Sequence, residues 1–404
     1  MNSEEYNIQI RQWIAAAAGI RASISLNELV NTLPGVHPND IAREFAALSG
    51  LTLTNEVARP TRRALRHTIK LPVPHPLEFD WRFTSETINF LLRRIEETGH
   101  SADGLCFLGA PALFRAALEH RLSKPFYLVD ASVTCTQAFA GEPNKVFVTD
   151  LLKQRPPALR VGIVVTDPPW YEESIRAFLW AAAQLVPMGG TVLLSFPPIG
   201  TRPHIEDEWS RIKKFAEQLG LAPIGKSLSL KYASPPFEQN ALRAARHQYI
   251  HPDWRQGVLV QFEKTGKCRE PRPTTDTTHD KWTEQSIRGV RWKFRQQQQR
   301  TECRPLLIEA VPGDILDSVS RRDPRRATAD VWTSGNRIFA SLDTASLELI
   351  ARAVAAGARP DTYLSDALGR QLTPSECRAV LLTANQIETI TSRELSEYMV
   401  NWEE

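Results

Sequence analysis

The sequence predicts an α/β protein centred on a doubly wound parallel sheet, and three observations carry that prediction. Between residue 104 and about residue 263, short apolar runs alternate with segments long enough for helices. Strands alternating with helices give a parallel sheet covered on both faces. Three consecutive runs end in aspartate, at Asp130, Asp150 and Asp167, which sets carboxylates along the edge where such sheets bind ligands.

Taken in order, residues 1–68 form a small helical module. Ser25 is placed to cap a helix over Leu26–Leu33, with Glu28 completing a capping box. Pro34-Gly35 turns the chain, and Pro38-Asn39-Asp40 opens another helix. Two short helices around a turn, followed by basic residues, suit a winged-helix-like module; three small helices packing for their own sake give the same pattern. Residues 69–84, IKLPVPHPLEFDWRFT, are proline-rich and read as an extended linker, and 85–98 form an amphipathic helix capped by Ser85.

The strands are predicted at 104–109, 125–130, 145–150, 161–167, 190–196, 225–230 and 257–264, with helices at 111–121, 172–186 and 205–219. The sheet domain is therefore placed at 69–267. A polar linker follows at 268–284, and a C-terminal α+β module at 285–404.

Composition narrows the class. Of 404 residues, 42% are hydrophobic and 24% charged, as in ordinary globular proteins. No apolar run approaches the roughly 20 residues of a membrane span, and the acidic start MNSEEYNIQIRQW lacks a signal-peptide core. A cytoplasmic protein with no membrane partner is expected. The five cysteines are scattered and form no C-x-x-C pair, against zinc, haem attachment or a disulfide framework. His247 and His251 are four apart, but Pro252 follows and no third ligand is near, so no metal is expected.

The net charge of +3 does not mark a nucleic-acid binder. Its distribution is more suggestive. Arg59, Arg62, Arg63, Arg66 and Lys70 sit together. Arg288, Arg291, Lys293 and Arg295 alternate with Val290, Trp292 and Phe294, and Arg321, Arg322, Arg325 and Arg326 crowd one short loop. Such clusters are either solvated surface or phosphate-facing. In the last of them Trp332 is placed to stack a base or an arginine, and the alternative is an arginine network with Asp317, Asp323 and Asp330.

The chemistry is read from the strand ends. The first strand exits through Leu108-Gly109-Ala110-Pro111, with one glycine and Pro111 at a helix start. Nothing there resembles a phosphate-cradling loop, which disfavours NAD and ATP and leaves S-adenosylmethionine, a cofactor with no phosphates. A carboxylate ending the second strand suits ribose hydroxyls, and one ending the third an exocyclic amine. The fourth strand ends in Asp167-Pro168-Pro169-Trp170. Neither proline has an N–H, so this loop is almost devoid of donors and offers carbonyl oxygens and the Asp167 carboxylate as acceptors in a rigid frame. An amino group conjugated to a ring is held by such acceptors more tightly as it pyramidalises in the transition state. Trp170 adds a stacking face worth about 1–3 kcal/mol, with Tyr171 the next candidate.

Asp167-Pro168-Pro169-Trp170 resembles the D-P-P-[FWY] signature of enzymes that methylate adenine N6 and related amino groups. FLGAPALF is similar to the first-strand motif of the N6-adenine methyltransferase-like family, where a small-Pro-x-Leu pattern replaces the glycine-rich loop. Over roughly 80–264 the chain thus resembles a class I S-adenosylmethionine-dependent methyltransferase. The resemblance implies a Rossmann-like methyltransferase sheet, a cofactor lying along Leu108, Gly109, Ala110 and Pro111, ribose contact by Asp130 and adenine contact near Asp150. The missing second glycine is a departure from the pattern. Members of that family also methylate protein lysine, so the motif leaves the acceptor open.

Branched-chain polyamine synthases are similar in layout, with a winged helix and a D-P-P-Y motif, and transfer aminopropyl groups. Their first loop is rich in aspartate, whereas here it is Gly-Ala-Pro-Ala, and burying a polycation without counter-charge is costly. A third reading is a retired methyltransferase scaffold serving as a nucleic-acid-binding or assembly subunit. The favoured expectation is N-methylation of an amino group, adenine N6 in DNA or RNA foremost. Asp167 and the Pro168 carbonyl hold the amine, Trp170 stacks, and Tyr171 and Phe237 line the acceptor pocket. Arg321, Arg322 and Trp332 meet the nucleic acid, and a partner subunit is allowed for.

Overall fold

The computed structural model describes residues 3–19, 23–48, 51–54, 67–98, 104–247, 250–274, 281–296 and 304–401. The chain forms two compact units, the first made of Met1–Pro72, Trp81–Ser234 and Gln248–Asp276, the second of Val73–Asp80, Pro235–His247 and Thr277–Glu404.

The first unit opens with α1 (Ser3–Ala18), β1 (Ser23–Ser25), α2 (Leu26–Thr32), α3 (Pro38–Ala46) and β2 (Thr52–Thr54). β1 and β2 pair in parallel, two short strands absent from the helical reading. The capping box forms as expected: Ser25 Oγ accepts the Glu28 N–H at 3.1 Å, and the Glu28 carboxylate accepts the Ser25 N–H at 2.9 Å. Both donors are ones a helix start otherwise leaves open. Arg59, Arg62, Arg63 and Arg66 lie outside the described residues.

Next come β3 (Arg82–Phe83), α4 (Ser85–Glu97), β4 (Leu105–Leu108), α5 (Pro111–Glu119), β5 (Phe126–Asp130), α6 (Val133–Gln137), β6 (Val146–Val148), β7 (Ile163–Thr166) and α7 (Glu172–Leu185). They are followed by β8 (Thr191–Phe196), α8 (Ile205–Gln218), β9 (Leu221–Ala233), α9 (Pro236–Ala244, in the second unit) and β10 (Gln256–Lys264). The cap of α4 is Thr84 rather than Ser85: its hydroxyl accepts the Thr87 N–H at 3.3 Å.

Among the described residues these strands make one sheet in the order β3-β9-β10-β8-β7-β4-β5-β6. β4 to β8 are parallel. The chain winds outward from β4 through β5 to β6, then returns to place β7 on the other side of β4. This is the doubly wound, Rossmann-like arrangement, and its switch point lies between β4 and β7. Successive residues point to opposite faces. Phe107, Leu128, Val165 and Leu193 join a core with Leu91, Leu113 and Phe114, while Leu108, Val129, Val164 and Leu194 join one with Leu179 and Phe215.

The expected parallel sheet is corrected at one edge. β10 runs antiparallel to both β8 and β9. A reversed strand brings its start to the edge where the parallel strands end, so Arg255 and Gly257 arrive beside Trp170.

In the second unit, β11 (Trp282–Ile287), β12 (Val290–Arg295), β13 (Ile308–Glu309), β14 (Val331–Thr333) and β15 (Ile338–Ala340) form an antiparallel sheet in the order β11-β12-β14-β15-β13. It packs with α10 (Thr344–Ala355), α11 (Pro360–Leu368) and α12 (Pro374–Asn401). Arg288 and Gly289, with φ of +52° and +93°, make the two-residue turn between β11 and β12, the left-handed pair a twisted hairpin prefers.

Two expectations change here. The alternating basic residues of β12 are not a solvated stripe: Arg291 is 1% exposed and forks onto Glu284 at 2.7 and 2.9 Å and onto Glu78 at 2.8 and 2.5 Å. Lys293 donates to Glu78 at 2.6 Å. Glu78 comes from the proline-rich stretch, whose part Val73–Asp80 is a packed strap of this unit and not a linker. In the same strap His75 is fully buried, its Nε2 3.2 Å from the Trp332 carbonyl.

Burial pushes the Glu78 carboxyl up, but the Lys293 ammonium and the Arg291 guanidinium outweigh it and hold the group well below the usual carboxylate range. Such a group stabilises the fold above its unfolded pKa, near 4.3, and that stability is lost as pH falls toward the folded value. Glu78→Gln is expected to cost about 3–5 kcal/mol at neutral pH and to flatten the stability loss below about pH 5. Urea unfolding at a series of pH values measures both. An unchanged acid dependence would show that other carboxylates set it.

Candidate active site

The switch point gathers the predicted residues strand by strand. Leu108 ends β4 fully buried, and its carbonyl accepts the Asp167 N–H at 3.0 Å, tying the exits of β4 and β7 together. Gly109 follows with φ +63° and donates to the Val129 carbonyl at 2.9 Å. A Cβ there would lie 2.9 Å from Phe178 Cε1 and 3.1 Å from the Asp167 carbonyl oxygen. Only glycine fits both the backbone angle and the space. Ala110 and Pro111 then start α5 with no side-chain cap on its first turn.

Across β5, Asp130 accepts the Ser132 N–H at 2.8 Å, and its own carbonyl accepts the Thr149 N–H at 2.9 Å. Asp150 accepts the Leu152 N–H at 3.0 Å and meets Lys153 at 2.9 Å. Each carboxylate is thus fixed by its own turn. One backbone bond occupies a fraction of a carboxylate's acceptor capacity. Asp150, Asp130, Gly109 and Asp167 therefore stand at the ends of neighbouring strands, in the order β6, β5, β4, β7.

The motif loop is half-buried apart from Pro168, which is buried. The Pro169 carbonyl accepts the Tyr171 N–H at 2.7 Å. Trp170 donates its indole N–H to Ser195 Oγ at 3.2 Å, and its ring meets Tyr232 edge-on, with centroids 5.4 Å apart. Tyr232, 2% exposed at the end of β9, donates to Asp167 Oδ1 at 2.7 Å and is hydrogen-bonded to Ser195. Burial and the Asp167 charge push its phenol well above the usual tyrosine range.

A cationic and aromatic wall adjoins the loop. The Arg255 guanidinium lies over Trp81 at 4.3 Å, over Trp254 at 5.0 Å and over Trp170 at 5.8 Å. Arg202 lies 5.8 Å over Tyr171, the residue that precedes α7 at its N-cap. Gly257 gives Trp170 its room, since a Cβ there would come within 2.9 Å of both Trp170 and Tyr232.

Tyr232, Ser195, Gly257, Arg255, Trp81 and Trp254 escape the sequence reading, because strand pairing brings them to Asp167 from up to 90 positions away in the chain (Asp167 to Gly257). The other named residues belong to the second unit. Phe237 is fully buried on α9, and the YASPPF stretch is a strand end and helix start. Arg321 is half-exposed and Arg322 exposed. Trp332, expected to stack a base or an arginine, is 1% exposed and does the second: Arg326 lies 4.4 Å over its ring, and its indole donates to Asn336 at 3.1 Å. Arg325 pairs with Asp317 at 2.5 Å and Asp323 at 2.6 Å, the network that was the alternative for this loop. No described helix is long and apolar enough to cross a membrane.

No protein-family profile matches the chain, and no curated protein matches its sequence. Among solved structures it is similar to the branched-chain polyamine synthase of Thermus thermophilus in complex with N4-aminopropylspermidine and 5′-methylthioadenosine. The identity is 15% and the TM-score 0.48, over 68% of this chain and 97% of that one. The C9 mutein of that enzyme gives 16% and 0.49 over the same shares. A 16S rRNA N2 G1207 methyltransferase of T. thermophilus, in complex with AdoMet and guanosine, gives 14% and 0.30 over 56% of this chain and 52% of that one. These are likenesses of shape, and the chemistry rests on the residues above.

Proposed function

We propose that the protein is an S-adenosylmethionine-dependent N-methyltransferase acting on an amino group, with adenine N6 in DNA or RNA as the acceptor that suits the site best. The observation that carries this reading is the acceptor-rich loop Asp167-Pro168-Pro169-Trp170, whose Asp167 N–H ties it to the exit of β4 at the switch point. The cofactor fits the donor set beside it. Asp130 suits the ribose hydroxyls, Asp150 the adenine amine, and the small residues Gly109 and Ala110 let the chain pass close to the ligand. When bound, S-adenosylmethionine supplies a methyl group on a sulfonium, released as a neutral thioether.

The chain's own residues do the rest. The Asp167 carboxylate and the Pro168 carbonyl accept the two amine hydrogens, and their hold tightens as the nitrogen pyramidalises. Trp170 stacks on the ring. The proton that the alkylated nitrogen sheds passes to Asp167 and then to water. A base inside a duplex would have to be single-stranded or flipped out to reach this loop. Arg321 and Arg322 are the side chains proposed to meet the nucleic acid.

Calorimetric titration with S-adenosylmethionine, S-adenosylhomocysteine and decarboxylated S-adenosylmethionine tests the cofactor. Binding of the first two in preference to the third is expected. Preference for the decarboxylated form would replace the proposal with aminopropyl transfer, and no binding of any of them would leave a non-catalytic scaffold.

A further inference from the structure

Four side chains from three parts of the chain form one hydrogen-bonded line: Trp170 and Asp167 from the two ends of the motif loop, Ser195 from β8 and Tyr232 from β9. Its direction is fixed by its ends. An indole N–H only donates and a carboxylate only accepts. The Trp170 N–H therefore points to Ser195, the Ser195 hydroxyl to Tyr232, and the Tyr232 hydroxyl to Asp167. Each hydroxyl accepts once and donates once, and every proton runs toward the carboxylate.

We propose that Tyr232 is a positioning residue for the amine-methylating reaction, holding the Asp167 carboxylate ionised and aimed, and that Ser195 couples this hold to the stacking residue Trp170. The proposal rests on the amino-methyltransferase reading for its chemistry, but the hold itself is a property of the protein alone. Three observations support it. The Tyr232 hydroxyl is within full hydrogen-bonding distance of Asp167 Oδ1, at 2.7 Å. The groups around the phenol are Phe83 from β3, the edge of Trp170, and the charges of Asp167 and Arg255. Its raised pKa keeps the phenol a donor throughout the working pH range. With one lone-pair direction of Oδ1 committed to Tyr232, the carboxylate cannot swing, and the acceptor amine meets it in one orientation.

Tyr232→Phe tests this, since it keeps the ring packing and removes only the hydroxyl. Losing one charge-assisted hydrogen bond is expected to lower kcat about 10- to 100-fold, with S-adenosylmethionine affinity within about twofold of the original. Because a donor to the ionised form is gone, the acid limb of the rate profile is expected to move up by about one pH unit. The same shift is read without any activity from the carboxyl carbon resonance of Asp167 in aspartate-labelled protein, assigned with Asp167→Asn. Ser195→Ala is expected to have a smaller effect, and the double variant to cost no more than the larger single change, because the two hydroxyls act as one chain. An unmoved Asp167 titration in Tyr232→Phe, or a parallel loss of cofactor affinity and rate with an unmoved acid limb, would overturn the proposal. A shifted titration in a protein that methylates no amine would keep the positioning role and remove the methyltransferase reading.

Discussion

Asp167→Ala is expected to reduce methyl transfer about a thousandfold while S-adenosylmethionine still binds. The two halves of this result have different physical origins. The backbone of Asp167 bonds to Leu108 and faces Gly109, and alanine keeps that backbone, so the cofactor edge survives. In the proposed reaction the carboxylate meets the amine, and its removal leaves the loop only neutral carbonyl acceptors, that of Pro168 among them. Asp167→Asn sharpens the test. If its carbonyl takes the Tyr232 hydrogen in place of Oδ1, its NH2 points donors at an amine that is itself a donor. The asparagine is therefore expected to lose about a hundredfold or more, although it is nearly isosteric. Rates from single-turnover transfer and affinities from calorimetry separate the halves. A parallel loss of cofactor affinity would make Asp167 a cofactor ligand instead.

The parts of this site that the sequence makes legible are those whose signal is local. β4, β5, β7 and β8 are buried on both faces, so each reads as an apolar run, and their observed ends fall within two residues of the expected ones. The strand-end aspartates and Asp167-Pro168-Pro169-Trp170 are contiguous with those runs and are found with them. β9 is harder to see. It spans Leu221–Ala233, well beyond the expected 225–230, because much of its length is exposed and holds lysine, proline and glycine. Pairing with β10 keeps it extended, and pairing leaves no mark on composition. The reversal of β10 is equally silent, yet it delivers Arg255 and Gly257 to the motif loop. Tyr232 is missed for the same reason: its partner Asp167 is 65 positions away. The basic residues of β12 mislead in the opposite direction. For Arg291 the acids, Glu78 and Glu284, declare themselves only in three dimensions, whereas Asp317 and Asp323, the partners of Arg325, stand in the same loop and give the network that the sequence already offers as the alternative.

Gly109 is where fold and chemistry constrain the same atom, and its replacement separates them. Gly109→Ala is expected to destabilise the protein by about 2–4 kcal/mol, part from the left-handed backbone angle and part from overpacking. The new methyl group has two neighbours of different kinds. Phe178 is a side chain that can turn or be trimmed, whereas the Asp167 carbonyl is backbone of the motif itself. Relief toward the second neighbour moves Asp167, and a displacement on the order of 1 Å at a reacting group costs about a hundredfold in rate. Phe178→Leu added to Gly109→Ala removes one clash and keeps the other. That double variant is expected to recover part of the stability in denaturant unfolding but little of the transfer rate. Full recovery of the rate would mean that only the phenyl ring opposes the methyl group and that the motif tolerates a side chain beneath it. Recovery of stability without rate would identify the Gly109–Asp167 contact as the one that sets the geometry of the loop, and would explain how a single glycine serves where related sheets use several.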